Sequence, residues 1–309
     1  MGSKIKNLII ILGPTATGKS QISIQIAKSF NGEIINCDSI QVYKGFDIGT
    51  DKLSPEKWEG IPHHLLDFVD PTTQFNAAKF IKLASKTAEV ILEKGKLPIV
   101  TGGTGLYLKA LVEGLFPEEK KNRSLREELD AEWTDRGSES MWEELKTIDP
   151  EYAQNTGKHD KIRIVRALEV FRTTGIPFSK HFPETQSLVS DFYILKIGLK
   201  LERDILNQRI ENRVDMMFSK GIIDEVRMLL ASGVSSSSPP FRALGYKYVL
   251  QFLQNKKSLH EAIFLTKRDT RRYAKRQMTW FRKMKDIHWF SPGDLNCIEE
   301  LIKKKLKTY

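Results

Sequence analysis

The feature that most constrains the fold of this 309-residue chain is a glycine-rich loop near its start. Residues 8–12 are an apolar run typical of a buried strand, residues 13–20 read Gly-Pro-Thr-Ala-Thr-Gly-Lys-Ser, and residues 22–30 show helical periodicity. Strand, loop and helix in this order are the context in which G-x-x-x-x-G-K-[ST] binds phosphate. Glycine lets the backbone N–H groups turn toward an anion, and the helix start adds its positive dipole end.

The loop therefore predicts a P-loop that binds a di- or triphosphate. Lys19 would supply a positive charge to the terminal phosphate, and the Ser20 hydroxyl is suited to Mg²⁺. A glycine turn without a ligand is the alternative. The predicted pyrophosphate- or nucleotide-binding residues are Gly13, Pro14, Thr15, Ala16, Thr17, Gly18, Lys19 and Ser20.

An acidic residue follows the second predicted strand. Residues 32–37 read as a short strand that ends at Asp38, and the carboxyl ends of parallel strands face the ligand crevice of an open α/β sheet. Asp38 is thus placed to share a site with the P-loop, although it could also be a helix N-cap. The strand at residues 97–101 ends in threonine and two glycines, without the aspartate that positions Mg²⁺ for nucleotide hydrolysis. This departure counts against an NTP-driven motor or switch.

The composition changes beyond residue 117. Residues 118–187 are rich in charge and in helix formers, and residues 192–199 read as a strand that returns the chain to the sheet. We therefore predict an α/β fold, a P-loop NTPase-like parallel sheet flanked by helices, with a helical insertion domain. The core domain would comprise residues 1–117 and 188–309, and the insertion residues 118–187. In the helix that follows, Arg209 and Arg213 are four residues apart, so both guanidinium groups can approach one phosphate group.

Positive charge is concentrated toward the end of the chain. The formal net charge is +10, which favours a polyanionic partner. Residues 260–286 are predicted to be helical and carry nine lysines and arginines with Tyr273, Trp280 and Phe281 interleaved. A positive helix face is an electrostatic footprint for a nucleic-acid backbone. We expect the aromatic side chains, in contrast, to pack in the core.

Other classes of protein are disfavoured by the sequence. No apolar run approaches the roughly 20 residues that span a bilayer, and the start resembles neither a signal peptide nor a myristoylation signal. Cys37 and Cys297 are the two cysteines, too far apart in the sequence to suggest a disulfide framework or a cysteine zinc site. We expect a cytoplasmic monomer without membrane contact.

Several motifs occur together in a fixed order. After the P-loop come Asp38-Ser39-Ile40-Gln41-Val42-Tyr43, Asp47-Ile48-Gly49-Thr50, Pro62-His63-His64, Gly102-Gly103-Thr104-Gly105-Leu106-Tyr107, Arg166-Ala167-Leu168-Glu169 and Ala274-Lys275-Arg276-Gln277-Met278-Thr279-Trp280-Phe281. In this order they resemble the tRNA dimethylallyltransferase (IPP transferase) family in its bacterial form, over about residues 8 to 285. Residues 118–150 and the last part of the chain match only loosely.

The resemblance implies transfer of a dimethylallyl group from dimethylallyl pyrophosphate to the N6 amine of the adenosine 3′-adjacent to the anticodon in tRNA. The P-loop would hold the donor's pyrophosphate instead of ATP, so we expect any ATP binding to be weak and without hydrolysis. Thr15 and Arg213, with Mg²⁺ at Ser20, would stabilise the leaving pyrophosphate. Asp38 would accept the proton of the attacking amine.

The same resemblance implies two groups of residues that bind tRNA. The first would hold the extruded target adenosine, and the second would contact the rest of the RNA, together with the basic helix near the C-terminus. The first group is Asp38, Ser39, Ile40, Gln41 and Thr104. The second is Ile162, Arg163, Ile164, Val165 and Arg166, with Arg271 and Arg272 from the basic helix.

Three other functions remain possible on the sequence. They are a P-loop kinase of a small metabolite, an adenylate isopentenyltransferase that acts on a free nucleotide, and a non-catalytic RNA-binding NTPase. The insertion and the basic helix favour tRNA as the acceptor.

Overall fold

A computed structural model describes residues 5–115, 123–184 and 187–306 of the chain. The chain divides into two compact units, unit 1 with residues 1–112 and 188–309, and unit 2 with residues 113–187. The predicted boundary at residues 117 and 118 lies outside the described residues. No helix in the described ranges is long and apolar enough to cross a membrane.

A six-stranded sheet in the order β3-β2-β4-β1-β5-β6 forms the centre of unit 1, and all of its pairings are parallel. Strands β2 and β4 are fully buried, and so is β1 after Lys6, because helices cover both faces of the sheet, which explains the continuous apolar runs of β1 and β4. The strands are β1 Lys6–Leu12, β2 Gly32–Cys37, β3 His63–His64, β4 Leu97–Gly102, β5 Phe192–Leu199 and β6 Ile287–Phe290.

Within the described residues, several helices of unit 1 contribute to two apolar cores. One core packs α1 and α11 on the sheet, and the other joins α7, α8 and α9 to the loop that follows β2. The helices are α1 Lys19–Ser29, α2 Ala77–Glu93, α3 Gly105–Glu113, α7 Arg203–Ser219, α8 Ile222–Ala231, α9 Leu244–Leu253, α10 Leu259–Phe281 and α11 Leu295–Lys305.

Unit 2 is helical. It contains α4 Arg123–Ile148, α5 Pro150–Ala153 and α6 Lys161–Thr174, followed by a 3-10 segment at Phe178–Glu184. The path of α4 breaks at Gly137, whose φ of 77° and ψ of 167° are not helical. Apolar side chains from the three helices form a separate core of their own.

The predicted fold class is confirmed, since all four predicted strands lie in the sheet as β1, β2, β4 and β5. Two elements near the end were not predicted. The strand β6 is only four residues long and half-buried, so it lacks the long apolar run that identified the others. The helix α11 buries only Ile298 and Ile302 against the sheet.

Candidate active site

The P-loop connects β1 to α1 and needs glycine at both ends for different reasons. At Gly13 a Cβ would lie 2.5 Å from the carbonyl oxygen of Leu199 in β5. Gly18 is the N-cap of α1 and has a φ of 87°, in the left-handed region that favours glycine. Between them the buried Thr17 hydroxyl donates to the Pro14 carbonyl at 2.8 Å. The loop is therefore closed on itself before any ligand binds.

Lys19 stands at the start of α1 with its ammonium next to the loop. Its Nζ donates to the Pro14 carbonyl at 2.7 Å. Burial and the nearby positive charge of Arg213 lower the pKa of Lys19 to about 7, and the Asp38 carboxylate offsets this only in part. A bound polyanion would favour the charged form, so the site is tuned for a ligand with several negative charges.

Arg213 of α7 reaches the P-loop from the far side of the cleft. Its Nη1 donates to the Thr15 hydroxyl, and its Nη2 donates to the Thr50 carbonyl at 2.8 Å. The Asp51 carboxylate lies 3.3 Å from Nε. The structure therefore brings together Thr15 and Arg213, the pair that the family resemblance implies at the leaving group, and Arg209 also lies beside the loop at Gly18.

Asp38 follows β2 and stabilises a turn with one of its carboxylate oxygens. Oδ1 accepts from the backbone N–H groups of Ile40 at 2.8 Å and Gln41 at 3.1 Å. Asp38 thus caps a turn, and no α-helix starts there. Oδ2 has no hydrogen-bond partner within the described part of the chain, so the carboxylate keeps one oxygen that could accept a proton.

The residues that follow Asp38 meet the loop after β4. The N–H group of Ser39 donates to the Thr104 hydroxyl at 3.1 Å, and the Gln41 side chain donates to the Thr50 carbonyl at 3.1 Å. Tyr273 of α10 also lines the cleft, where burial and the Asp38 carboxylate raise its pKa. The predicted adenosine-binding residues therefore lie in one neighbourhood, and Tyr273 stays protonated there.

Gln277 is a part of the site that sequence reasoning missed. This buried side chain of α10 accepts from the Thr15 N–H group at 2.9 Å and donates to the Gly103 carbonyl at 2.7 Å. A Cβ at Gly103 would lie 2.3 Å from the Gln277 amide nitrogen, so a larger residue there would displace the Gln277 side chain. A signal was present: Gln277 is a polar residue on the same helical face as the buried Ala274 and Phe281.

These elements enclose a cleft of about 740 Å³ in unit 1. Its size is in the range of small-molecule sites. Both charged and apolar side chains line the cleft, so the cleft can accept a ligand with an anionic head and an apolar tail. The charged residues include Lys19, Asp38, Arg213 and Arg276, and the apolar ones Ile48, Val214, Met217 and Leu244.

Many cations of α10 are already paired. Lys267 lies 2.7 Å from Asp215, and Arg271 lies 2.5 Å from Glu211, both on α7. Arg268 and Arg272 share Asp269 within α10. The helix ends at Phe281, so the last positive residues that the sequence placed on it lie beyond its end.

The next turn of α10 differs. Lys275 and Arg276 form no ion pair with any residue that the structure describes. Arg276 lines the cleft, and its guanidinium carbon lies 5.9 Å from the centre of the Tyr273 ring. Arg276 therefore keeps a positive charge available at the cleft.

The expectation that the aromatic residues of α10 pack in the core is correct for one of them. Phe281 is fully buried. For Trp280 it is wrong, since this side chain is 39% exposed and rests against Gly105 at the start of α3. Tyr273 is half-buried at the edge of the cleft. The spacing of these residues along the helix did not distinguish the buried aromatic side chain from the partly exposed ones.

The remaining predicted tRNA-binding residues lie in unit 2, on α6. Ile162 is 74% exposed, and Arg163 is also exposed. Ile164 and Val165 are buried in the core of the unit, which leaves their side chains unavailable for contact with RNA. Arg166 is mostly buried and lies 2.9 Å from Glu169. Its predicted role in tRNA binding stays a prediction.

Residues 41–284 match the family model described as IPP transferase. The chain belongs to the IPP transferase family. Among curated relatives, a tRNA dimethylallyltransferase of Acetivibrio thermocellus is 44% identical, with 98% of this chain and 97% of that protein covered. One of Carboxydothermus hydrogenoformans is also 44% identical, with 97% and 96% covered. The family predicted from the motifs is thus confirmed.

Solved structures of the IPP transferase family resemble the present fold. A tRNA isopentenylpyrophosphate transferase from Bacillus halodurans has a TM-score of 0.73 and 38% identity, covering 97% of this chain and 96% of that one. A eukaryotic dimethylallyltransferase acting on tRNA has a TM-score of 0.81 and 33% identity, covering 96% of this chain and 78% of that one.

Proposed function

We propose that this protein transfers a dimethylallyl group from dimethylallyl pyrophosphate to the N6 amine of the adenosine 3′-adjacent to the anticodon in tRNA. The named relatives support this reaction, since they are tRNA dimethylallyltransferases. The observation that carries the proposal is the meeting of the P-loop, Arg213 and Asp38 in one cleft. We also propose that the protein acts as a cytoplasmic monomer.

The P-loop would hold the pyrophosphate of the donor. Its residues 13–20 form a closed loop at a helix start, and Lys19 and Arg213 provide positive charge there. As the bond between the allylic carbon and the pyrophosphate oxygen breaks, negative charge grows on the leaving oxygens. Lys19, Arg213 and the Thr15 hydroxyl are placed to stabilise that charge.

Mg²⁺ would be held by the Ser20 hydroxyl together with pyrophosphate oxygens. Within the described residues no group of three or more His, Cys, Asp or Glu is arranged to hold a metal ion. Mg²⁺ often relies on substrate phosphates for its ligands, so a site with a single hydroxyl fits it once the donor is bound. When bound, the ion would neutralise part of the leaving-group charge.

Asp38 would act as the general base. The new bond forms between the adenine N6 atom and the allylic carbon, and the proton that N6 loses must move to a nearby acceptor. Asp38 Oδ2 is the candidate, because Oδ1 is already engaged by the N–H groups of Ile40 and Gln41. ATP would bind weakly in the same cradle and would not be hydrolysed, since β4 ends in Thr101 and Gly102 where an acidic residue would be needed.

The acceptor would be a flipped adenosine held between the Asp38 loop and the loop after β4. Extrusion from the stacked anticodon loop is needed because the reacting amine must enter the cleft. The proposed residues at this position are Asp38, Ser39, Ile40, Gln41 and Thr104, and the rest of the RNA would contact α6 and the cations of α10.

One assay tests the proposed function against its alternatives. Labelled dimethylallyl pyrophosphate is incubated with an anticodon stem-loop RNA, with AMP, or with ATP and a small metabolite, and the product is analysed. Label in the RNA, on N6 of the target adenosine, is the expected result. Label in AMP alone would indicate a free-nucleotide enzyme, and rapid ATP turnover would indicate a kinase or an NTPase.

A further inference from the structure

A buried glutamate of α8 binds the backbone of a turn near the cleft. Glu225 is 6% exposed, and its Oε2 accepts from the N–H groups of Asp47 at 3.1 Å and Ile48 at 2.7 Å. Its Oε1 accepts from the Gly49 N–H group at 3.3 Å and from the Tyr246 hydroxyl at 2.6 Å. Consecutive N–H groups of one turn thus enclose a carboxylate of the protein itself.

The turn is also fixed by packing. A Cβ at Gly49 would lie 2.5 Å from the ring of Tyr246, so the backbone approaches this ring as closely as only glycine allows. Phe46 packs edge-on against Phe241 and Tyr246, with ring centres 5.0 and 4.9 Å apart. The position of the turn is therefore set by Glu225 and the aromatic cluster together.

The next residue of the same turn faces the site. The Thr50 carbonyl accepts from Arg213 Nη2 at 2.8 Å and from the Gln41 side chain at 3.1 Å. Nη1 of Arg213 donates to the Thr15 hydroxyl. A continuous chain of hydrogen bonds thus links Glu225, the turn, Arg213 and the P-loop.

We propose that Glu225 is a positioning residue that holds the Thr50 carbonyl and thereby aims the Arg213 guanidinium at the pyrophosphate cradle. This inference rests on the proposed function, in which Arg213 stabilises the leaving group. Without the carboxylate, the buried N–H groups of residues 47–49 lose their acceptor, and the turn shifts to satisfy them elsewhere. Small displacements of a charged group next to the reacting atoms reduce the rate more than they reduce binding.

The decisive variant is Glu225→Gln, which keeps the size of the side chain but turns a donor toward the backbone N–H groups. At saturating RNA we expect kcat to fall roughly 10- to 100-fold while KM for the RNA stays close to normal. Affinity for inorganic pyrophosphate, measured by calorimetry, should fall as well. The matched control is Glu33→Gln, since Glu33 is equally buried but pairs with Lys96 and His64 at the start of β2. The control should lose stability and keep its kcat.

A double-mutant cycle with Arg213→Ala separates positioning from a general loss of structure. Arg213→Ala should lower kcat by about 10²–10³-fold. If Glu225 acts through Arg213, adding Glu225→Gln to that variant causes little further loss. The positioning role would be overturned if the double variant lost kcat by the full product of the two single losses. A normal kcat in Glu225→Gln alone would also overturn it. A normal kcat in Arg213→Ala would instead overturn the proposed role of Arg213, and the inference with it.

Tyr246→Phe covers the case in which Glu225→Gln does not fold. This variant removes the hydroxyl that donates a hydrogen bond to the Glu225 carboxylate, and it leaves in place the ring that packs on Gly49. We expect a smaller loss of kcat that again disappears in the Arg213→Ala background. A wild-type kcat and pyrophosphate affinity in Tyr246→Phe would contradict the inference.

Discussion

Two parts of α10 carry positive residues and differ in whether acidic side chains pair with them. In the first part Lys267 and Arg271 pair with acidic residues of α7, and Arg272 pairs with Asp269. One turn later Lys275 and Arg276 have no ion pair among the described residues, and Arg276 lines the cleft. The unpaired cations of α10 are therefore fewer than the sequence suggests, and one of them, Arg276, lies at the cleft.

The same distinction applies to the carboxylates. Glu33 is surrounded by Lys94, Lys96 and His64. Asp38 engages only one of its oxygens in the turn that it caps. Charged groups that are fully paired within the protein should contribute to stability. Charged groups with an unpaired atom should contribute to ligand binding and to the reaction.

Asp38→Asn should have the largest effect on catalysis. Asparagine preserves the acceptor for the turn but cannot take the proton from the amine, so kcat should fall about 10²–10⁴-fold with RNA affinity nearly unchanged. Single-turnover transfer to a stem-loop RNA measures this. Asp70→Asn is the matched control, because Asp70 also accepts from the backbone two residues later, at Thr72, and is exposed. A near-normal rate in Asp38→Asn would mean that Asp38 only caps its turn.

The two parts of α10 can be compared directly by mutation. The pair Lys275→Ala and Arg276→Ala should weaken stem-loop binding and make the slope of log affinity against log salt shallower by about one unit for each lost phosphate contact. The pair Arg271→Ala and Arg272→Ala should change this slope less, since Arg271 is paired with Glu211 and Arg272 with Asp269, which it shares with Arg268. Titrations at several salt concentrations measure both pairs. Equal slopes for the two pairs would remove the distinction between the two parts of the helix.

Donor binding should be accompanied by proton uptake at Lys19. In the free protein its pKa is about 7, so at about pH 8 most molecules carry a neutral amine, and the donor's negative charge raises the pKa and draws in a proton. Calorimetry of dimethylallyl pyrophosphate binding in buffers of different ionisation enthalpy measures this uptake. Lys19→Arg stays charged throughout and should show none. Wild-type binding without uptake would mean that Lys19 is already charged in the free site.

Glu33→Gln should affect stability without affecting transfer. Burial would raise the pKa of Glu33, but hydrogen bonds from Lys96 and His64 outweigh burial and hold the pKa at about 2, below the ordinary value of 4.5. The ionised form therefore stabilises the fold above pH 4.5, and this contribution is lost as the pH falls toward about 2. Urea unfolding measures this: the free energy of unfolding of the wild type should exceed that of the variant by a margin that shrinks as the pH falls over that range. A difference that does not change with pH would contradict the ion cluster.

The sequence predicted the parts of the structure that depend on local patterns. The apolar run of β1 and the glycines of the P-loop could be recognised because each depends only on residues that are adjacent in the sequence. Contacts between distant residues could not be derived in this way: Arg213 is 198 residues from the Thr15 hydroxyl that it binds. The motif resemblance named Arg213 and Asp38 as site residues, but it did not indicate the bonds of Gln277 or the pairing of Arg271 with Glu211.

The helix α10 is anchored at two points, and this constrains the number of residues between them. Arg271 is tied to α7 by an ion pair, and Gln277, six residues later, is tied to the P-loop. Inserting or deleting one residue between them would turn the remainder of the helix by about 100° and shift it by about 1.5 Å. Both anchors could not then be kept. Substitutions along this stretch should therefore be tolerated far more often than changes in residue number, and homologous chains should align through it without gaps.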